Sequence, residues 1–269
     1  MKYDPIKRSL GKVFNRTPFL RKLFYHLLNL LLLRSWHIRK EIRKAKKELP
    51  DAPEILDAGS GFGQYDYTMS LQFPQSTITA VDVKQEQIDD CNRFFEKIGK
   101  ADRVHFEYAD LTKYTREAHY DLVLSVDVME HIEEDVQVFK NLAKSLKTGG
   151  ILLISTPSDQ GGSDVHDDED ESFIDEHVRD GYAITDIEEK LKKAGFSRIE
   201  SRYSYGIPGK ISWKLSMKWP ILMVNAGKIF FLLLPLYYLL TYPVSFVLNF
   251  FDIHMKHRSG TGLIVKAVK

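Results

Sequence analysis

Residues 55–63 read Ile55-Leu-Asp-Ala-Gly-Ser-Gly-Phe-Gly63, and this stretch decides the fold. Two apolar residues end a buried strand, Asp57 sits at its tip, and glycines follow at 59, 61 and 63. Glycine lets the backbone turn tightly and approach a ligand with no Cβ in the way. The spacing is not the G-x-G-x-x-G of dinucleotide-binding turns. It is not a phosphate loop either, because no Gly-Lys-Ser/Thr follows.

Working outward, apolar strand-like runs occur at 53–58, 77–82, 103–108, 120–126 and 150–155. Helix-like segments separate them at about 64–72, 85–98 and 133–147. Gly149-Gly150 stops the last of these. A helix from Asp186 to Ala194 ends at Gly195, and alternating strands follow at 197–205 and from Gly262 to Val268. Repeated βα units predict a parallel sheet covered on both faces. Ligands of such sheets bind at the carboxyl ends of the strands. Acids stand there: Asp57 after strand 1, Asp82 after strand 2, Asp110 after strand 3 and Asp127 after strand 4.

The stretch Asp57 to Gly63 resembles motif I (D-x-G-x-G-x-G) of class I S-adenosylmethionine (SAM) methyltransferases. Val126-Asp-Val-Met-Glu-His-Ile132 resembles the signature after strand 4 in the quinone and related small-molecule group (type 11/12-like). The likeness covers roughly residues 50–205 and 260–269. It implies an α/β fold with a doubly wound, seven-stranded, mostly parallel Rossmann-like sheet. Its last strand is antiparallel and inserts between strands 5 and 6. It also implies SAM as cofactor. The residues implied to bind it are Asp57, Gly59, Ser60, Gly61, Gly63, Asp82, Val83, Asp110, Leu111, Ser125 and Asp127. In the family the acid at Asp82 grips both ribose hydroxyls, Val83 packs against adenine, and Asp110 with the next N–H meets the adenine edge. Each piece alone has a plainer reading: Asp82 as a helix cap, Asp110 as a turn acid, Glu130-His131 as a solvated pair. Their order at successive strand ends favours the site.

Methyl transfer asks the protein to align an acceptor and remove a proton where needed. His131 is the expected general base, because a histidine titrates near neutrality, and Glu130 stands beside it as the second catalytic candidate. Tyr65, Tyr67, Tyr182 and Tyr205 are candidates for the acceptor side. There is no Asn-Pro-Pro-Tyr or Asp-Pro-Pro-Tyr after strand 4 and no Pro-Cys nucleophile, which argues against base methylation. The net charge of +1 argues against a generally basic nucleic-acid binder. A single cysteine, Cys91, excludes an internal disulfide and fits a reducing compartment. No signal peptide is legible.

The average charge hides an asymmetry. Residues 1–50 carry fourteen Lys/Arg against three acids, whereas 164–176 carry eight acids and no Lys or Arg. The acidic stretch reads as part of a lid over 159–182, hinged at Gly161-Gly162. Its spacing, with His166 and His177 nearby, matches no metal loop, so no metal is expected. Residues 207–259 form an insert between strands 6 and 7. Lys210, Lys214 and Lys218 with Trp213 and Trp219 suit a headgroup-level helix. Ile229 to Phe251 follows as 23 residues without a charge. Because the flanking strands are expected to be neighbours, the insert must leave and return on one side. A re-entrant or interface-lying helical hairpin kinked near Pro235 satisfies this. In residues 1–49, Leu20, Leu23, Phe24, Leu27, Leu28 and Leu31 recur at helical spacing, and a basic run follows them.

The domain organisation expected is therefore a basic N-terminal helical segment at 1–49, a SAM-binding domain at 50–206 and 260–269, and the apolar insert at 207–259. The expected activity is methyl transfer to a lipid or other hydrophobic small molecule. The site of action is the inner face of the cell membrane, bound peripherally or monotopically. Three alternatives stay open: a soluble small-molecule acceptor, a protein acceptor with the insert as a homodimer interface, or a SAM-binding scaffold without turnover.

Overall fold

The computed structural model describes residues 17–161, 178–227 and 229–269. Helices α1 (Pro18–Leu31) and α2 (Leu33–Ala45) precede a βα series: β1 (Glu54–Ala58), α3 (Gln64–Gln72), β2 (Thr77–Asp82), α4 (Gln85–Lys97), β3 (Val104–Tyr108), β4 (Tyr120–Val126), α5 (Asp135–Ser145) and β5 (Leu146–Pro157). Then come α6 (Ile184–Ala194), β6 (Arg198–Ser204), α7 (Ile207–Trp213), α8 (Trp219–Ala226), α9 (Phe230–His254) and β7 (Gly262–Val268). The seven strands form one sheet in the order β3-β2-β1-β4-β5-β7-β6. β7 runs antiparallel between β5 and β6, and the remaining pairs are parallel. This is the fold the motif implied, including the place of the last strand.

Period-two alternation sends successive side chains to opposite faces. Ile55, Leu122, Leu124, Ile151, Leu153 and Ile264 join one apolar layer under α1–α4. Leu56, Val123, Leu152, Ile154, Leu263 and Val265 join the other, under α5 and α6. Helix α4 buries Ile88, Cys91, Phe94 and Phe95 at helical spacing. Helix α6 stops at Gly195, whose φ of +103° suits a residue without a Cβ.

The structure corrects three expectations. The N-terminal leucines lie on the first of two helices, broken where Leu32 turns extended at φ −85° and ψ 111°. Thr17 caps α1 by accepting from the Leu20 N–H, with Pro18 at the first helical position. The insert does not turn at Pro235: α9 continues through Pro235 and Pro243, and the reversal lies at Gly227. An apolar helix tolerates proline when side chains and neighbouring helices meet the freed backbone groups. Strand β5 starts at Leu146 rather than 150, with an irregular register against β4 between Tyr120 and Leu122.

The insert is an antiparallel helical hairpin. Gly209 N–H donates to Asp252, Ser212 to Asn249, and the Tyr238 and Tyr237 hydroxyls to the carbonyls of Ser216 and Leu215. A π-helical turn at Lys214–Lys218 joins α7 to α8. Both ends of the hairpin attach at the carboxyl edge of the sheet, because β6 ends at Ser204 and β7 begins beside it at Gly262.

Candidate functional site

The glycine loop is stitched to the strand tips. Gly59 and Ser60 N–H both donate to the Val81 carbonyl, at 2.9 and 3.0 Å. Gly59 has φ +94°, and an added Cβ would lie 2.2 Å from the Val128 side chain. Gly61, at φ +54°, has open space where its Cβ would be, so its surface is free for a ligand. Its N–H donates to Asp82 Oδ2 at 2.8 Å, and the Lys84 N–H donates to Oδ1 at 2.9 Å. Two backbone donors therefore fix the Asp82 carboxylate at the tip of β2. Gly63 starts α3 at φ +79°, pressed towards Cys91 and Phe106.

Beyond β2, Val83 is 57% exposed, an unusual position for a valine at a strand tip. Asp110 accepts from the Thr112 N–H and hydroxyl, which hold its carboxyl below the usual range. Leu111 is buried behind it. At the tip of β4, Ser125 is fully buried, and Asp127 takes φ +52° while its N–H donates to the Ser155 carbonyl.

Below the loop, Asp57 and Asp66 face each other with essentially no exposure. Burial raises both, Asp57 to about 7 and Asp66 well above its ordinary value; the hydrogen bond between them pulls Asp57 down and pushes Asp66 up, and the Asp82 charge adds to the rise of Asp57. The pair holds a shared proton at neutral pH.

These residues fit the cofactor that the motif implies. The Ser60 and Ser125 hydroxyls and Asp57 Oδ2 are buried with no partner among the described residues. They belong to the glycine loop and to the strands β1 and β4 that flank it. The loop and the α3 N-terminus would hold the amino-acid end of SAM, Asp82 its ribose, and Val83, Asp110 and Leu111 its adenine.

The acceptor candidates separate. Tyr65 lies 3.4 Å from Ser35, and the Tyr205 hydroxyl accepts from the Arg34 N–H at 2.9 Å. Both belong to the surroundings of Arg34, whose guanidinium pairs with Asp127. Burial pushes the Tyr205 hydroxyl up to about 12. Tyr67 packs in the core against Tyr25 and Phe94. Tyr182 is a core residue, 1% exposed, and its hydroxyl meets Asp135, Arg179 and the Met129 carbonyl. That packing removes it from the acceptor candidates. Glu130 is also corrected: it is 1% exposed and accepts from Thr156 Oγ1, and burial raises its carboxyl. It fixes the turn Met129–His131, on which His131 stands exposed. The lid expected at 159–182 falls largely outside the described residues. Its two ends are tied where Ser158 pairs with Tyr182. Gly161, half of the expected hinge, presses on Thr261, whose methyl lies 2.1 Å from an added Cβ. No metal cluster occurs among the described residues. A cavity of about 380 Å³ lies between α1, α2 and α3, away from the strand tips.

Sequence reasoning missed the inner face of the N-terminal helices. Arg34 reaches Asp127, while Arg21 and Tyr25 both bond the Phe62 carbonyl within the glycine loop. Their only signal was polar residues at four-residue spacing inside a leucine run. A second missed cluster sits at the base of the hairpin. Asp252 meets His37, His257 and two backbone N–H groups, and Arg202 bridges His37 to Glu41.

A family model described as a methyltransferase domain matches residues 50–200. The chain is 31% identical over 158 residues to phosphoethanolamine N-methyltransferase 1 of Zea mays, covering 57% of this chain and 30% of that protein. It is 30% identical over 130 residues to the ubiquinone biosynthesis O-methyltransferase of Rickettsia prowazekii (strain Madrid E), covering 47% and 50%. The chain thus spans half or less of the length of these two relatives. The solved Haemonchus contortus phosphoethanolamine N-methyltransferase 2, in complex with S-adenosyl-L-methionine, superposes with a TM-score of 0.60 at 20% identity. That superposition covers 91% of this chain and 60% of the other, a likeness of fold.

Proposed function

The chain belongs to the methyltransferase domain family, and on that premise we propose that it methylates a lipid or other hydrophobic small molecule at a membrane surface. The observation that carries the membrane half is the inverted polarity of the hairpin at the carboxyl edge of the sheet. Ser212, Ser216, Ser245, Asn249 and Asp252 face inward, while Leu232, Leu236, Leu239 and Leu240 are 58–76% exposed. Soluble helices do the reverse. Helix α9, with 25 residues, is long and apolar enough to cross a membrane. Its attachment to neighbouring strands favours entry and return on one face. The flanking lysines and tryptophans support a monotopic seat on the cytoplasmic leaflet.

Bound SAM supplies an activated methyl group. In this reading the chain's residues do the rest. Asp82 and the glycine loop orient the donor, and Arg34 with Asp127 shapes the acceptor side. His131 takes the acceptor's proton from its turn after β4.

Mass spectrometry of membrane lipid extracts, incubated with SAM and the protein, tests this directly. A lipid species heavier by one methylene is expected. His131→Ala is expected to slow its appearance by roughly a hundredfold or more. The reading fails if the added methylene appears only in water-soluble extracts.

A further inference from the structure

Helix α1 has the same inverted polarity as the hairpin, and its inner face holds the cofactor loop. Arg21, Tyr25 and Asn29 recur every four residues and are buried. Arg21 Nη2 donates to the Phe62 carbonyl at 2.9 Å, and the Tyr25 hydroxyl donates to the same oxygen. The Phe62 ring lies 5.9 Å from that of Phe24 and 6.3 Å from that of Tyr25. Asn29 Oδ1 accepts from Gln64, the first residue of α3, at 2.8 Å. Phe62 stands between Gly61 and Gly63, so α1 clamps the loop by both its backbone and its one aromatic ring.

The opposite stripe of α1 is uncovered: Phe19, Leu23, Leu27 and Leu30 are 38–73% exposed. The stripe continues beyond the helix. The Leu30 carbonyl accepts from Trp36 Nε1 at 3.0 Å, and the Trp36 ring meets Phe246 of α9 at 5.0 Å, edge to face. Phe246 is itself half exposed among the apolar residues of the hairpin. Cations border the stripe: Lys22 lies on α1, and Arg39 shares a groove wall with Leu30.

We propose that the outer face of α1 is a second lipid-contacting surface, continuous with the hairpin, and that an anionic membrane tightens cofactor binding by holding this clamp on the glycine loop. The proposal rests on the membrane reading above. A lipid surface is favoured over a second copy of the chain because the apolar stripe runs into the hairpin and is bordered by cations. A 14-residue helix is marginal alone in water, so its order depends on what both of its faces meet. A surface that binds only the seated helix shifts that equilibrium by its differential affinity. Linkage makes the effect reciprocal, so cofactor must also tighten membrane binding.

The test uses the full chain, S-adenosylhomocysteine as the cofactor probe, and vesicles of phosphatidylcholine with phosphatidylglycerol. Titration calorimetry is run with and without vesicles, beside flotation. Vesicles are expected to tighten the probe's Kd by roughly fivefold or more. The double variant Leu23→Glu/Leu27→Glu is expected to bind the probe normally without vesicles. It should still float through its hairpin, and should lose the tightening. A wild-type protein that floats with an unchanged Kd overturns the proposal and leaves the membrane reading standing. So does a double variant that keeps the full tightening. A wild-type protein that stays unbound, or hides the stripe in a detergent-free dimer, overturns both.

Discussion

Asp57 and Asp66 show how a buried residue pair is tuned. Asp57 Oδ2 and both Asp66 carboxyl oxygens have no partner outside the pair among the described residues, and the two lie together beneath the cofactor loop. Both therefore bind protons more tightly when folded than when unfolded. A carboxyl raised in the folded state contributes stability that is full below its unfolded value, near 4, and is lost as pH climbs through its folded value. For Asp57 that loss centres near 7. The amide of Asp66→Asn can donate to Asp57 at any pH, which removes the need for the shared proton. The variant is expected to hold its thermal midpoint from pH 5 to pH 8, whereas the wild-type midpoint falls. Parallel melting curves that track one another across this range would refute the shared proton. Asp57 was legible from its place before the glycines. Asp66 was not, because an acid in the first turn of a helix ordinarily answers the helix dipole in solvent.

The elements differ in how much of them the sequence shows. The strands of the sheet were readable because a buried parallel strand is a short apolar run with turn residues at its ends. The acids at those ends were readable for the same reason. The helices α1 and α9 were readable as helices, but not by which face lies inward. A leucine period looks the same whether the leucines face a core or a lipid. Only the partners settle it: Phe62 for Tyr25, and Tyr205, Gly209 and His37 for Asp252. Asp252 ties α9 to α2 and to the end of β6. Burial opposes its charge, yet the His37 hydrogen bond and neighbouring positive charge hold its carboxyl below the ordinary range. His37, wholly buried and beside Arg202, is itself held low. It is therefore neutral at pH 7, accepts from Arg202 at Nδ1 and donates to Asp252 from Nε2. Asp252→Asn replaces the charged acceptor shared by His37, His257 and the N–H groups of Tyr205 and Gly209. It is expected to destabilise the fold by about 2 kcal/mol, the scale of buried hydrogen bonds to a charged acceptor. Urea unfolding measures this, and a change below about 1 kcal/mol would mean the cluster is not a structural anchor.

The whole molecule carries two kinds of interior. Around the sheet the interior is mainly apolar. In the hairpin the order is reversed, with Ser212 bonded to Asn249 at the helix contact and leucines on the surface. The two regimes predict opposite responses to the same chemical change. Leu236→Glu with Leu240→Glu places two charges where the side chains are 58% and 70% exposed. In water such surface changes are worth about 0.5 kcal/mol or less, so the urea midpoint should hardly move. In a bilayer each acid costs on the order of 3 kcal/mol at depth. Vesicle partitioning is therefore expected to fall by a hundredfold or more, roughly, and the variant should stay soluble without detergent. Leu153→Glu, the same change within the sheet core, is expected to abolish folding, because an unpaired charge would be buried there. Urea unfolding and vesicle sedimentation on the two variants separate the regimes. If the hairpin variant unfolds as readily as the core variant, its leucines are covered within the folded protein and the inverted interior is wrong.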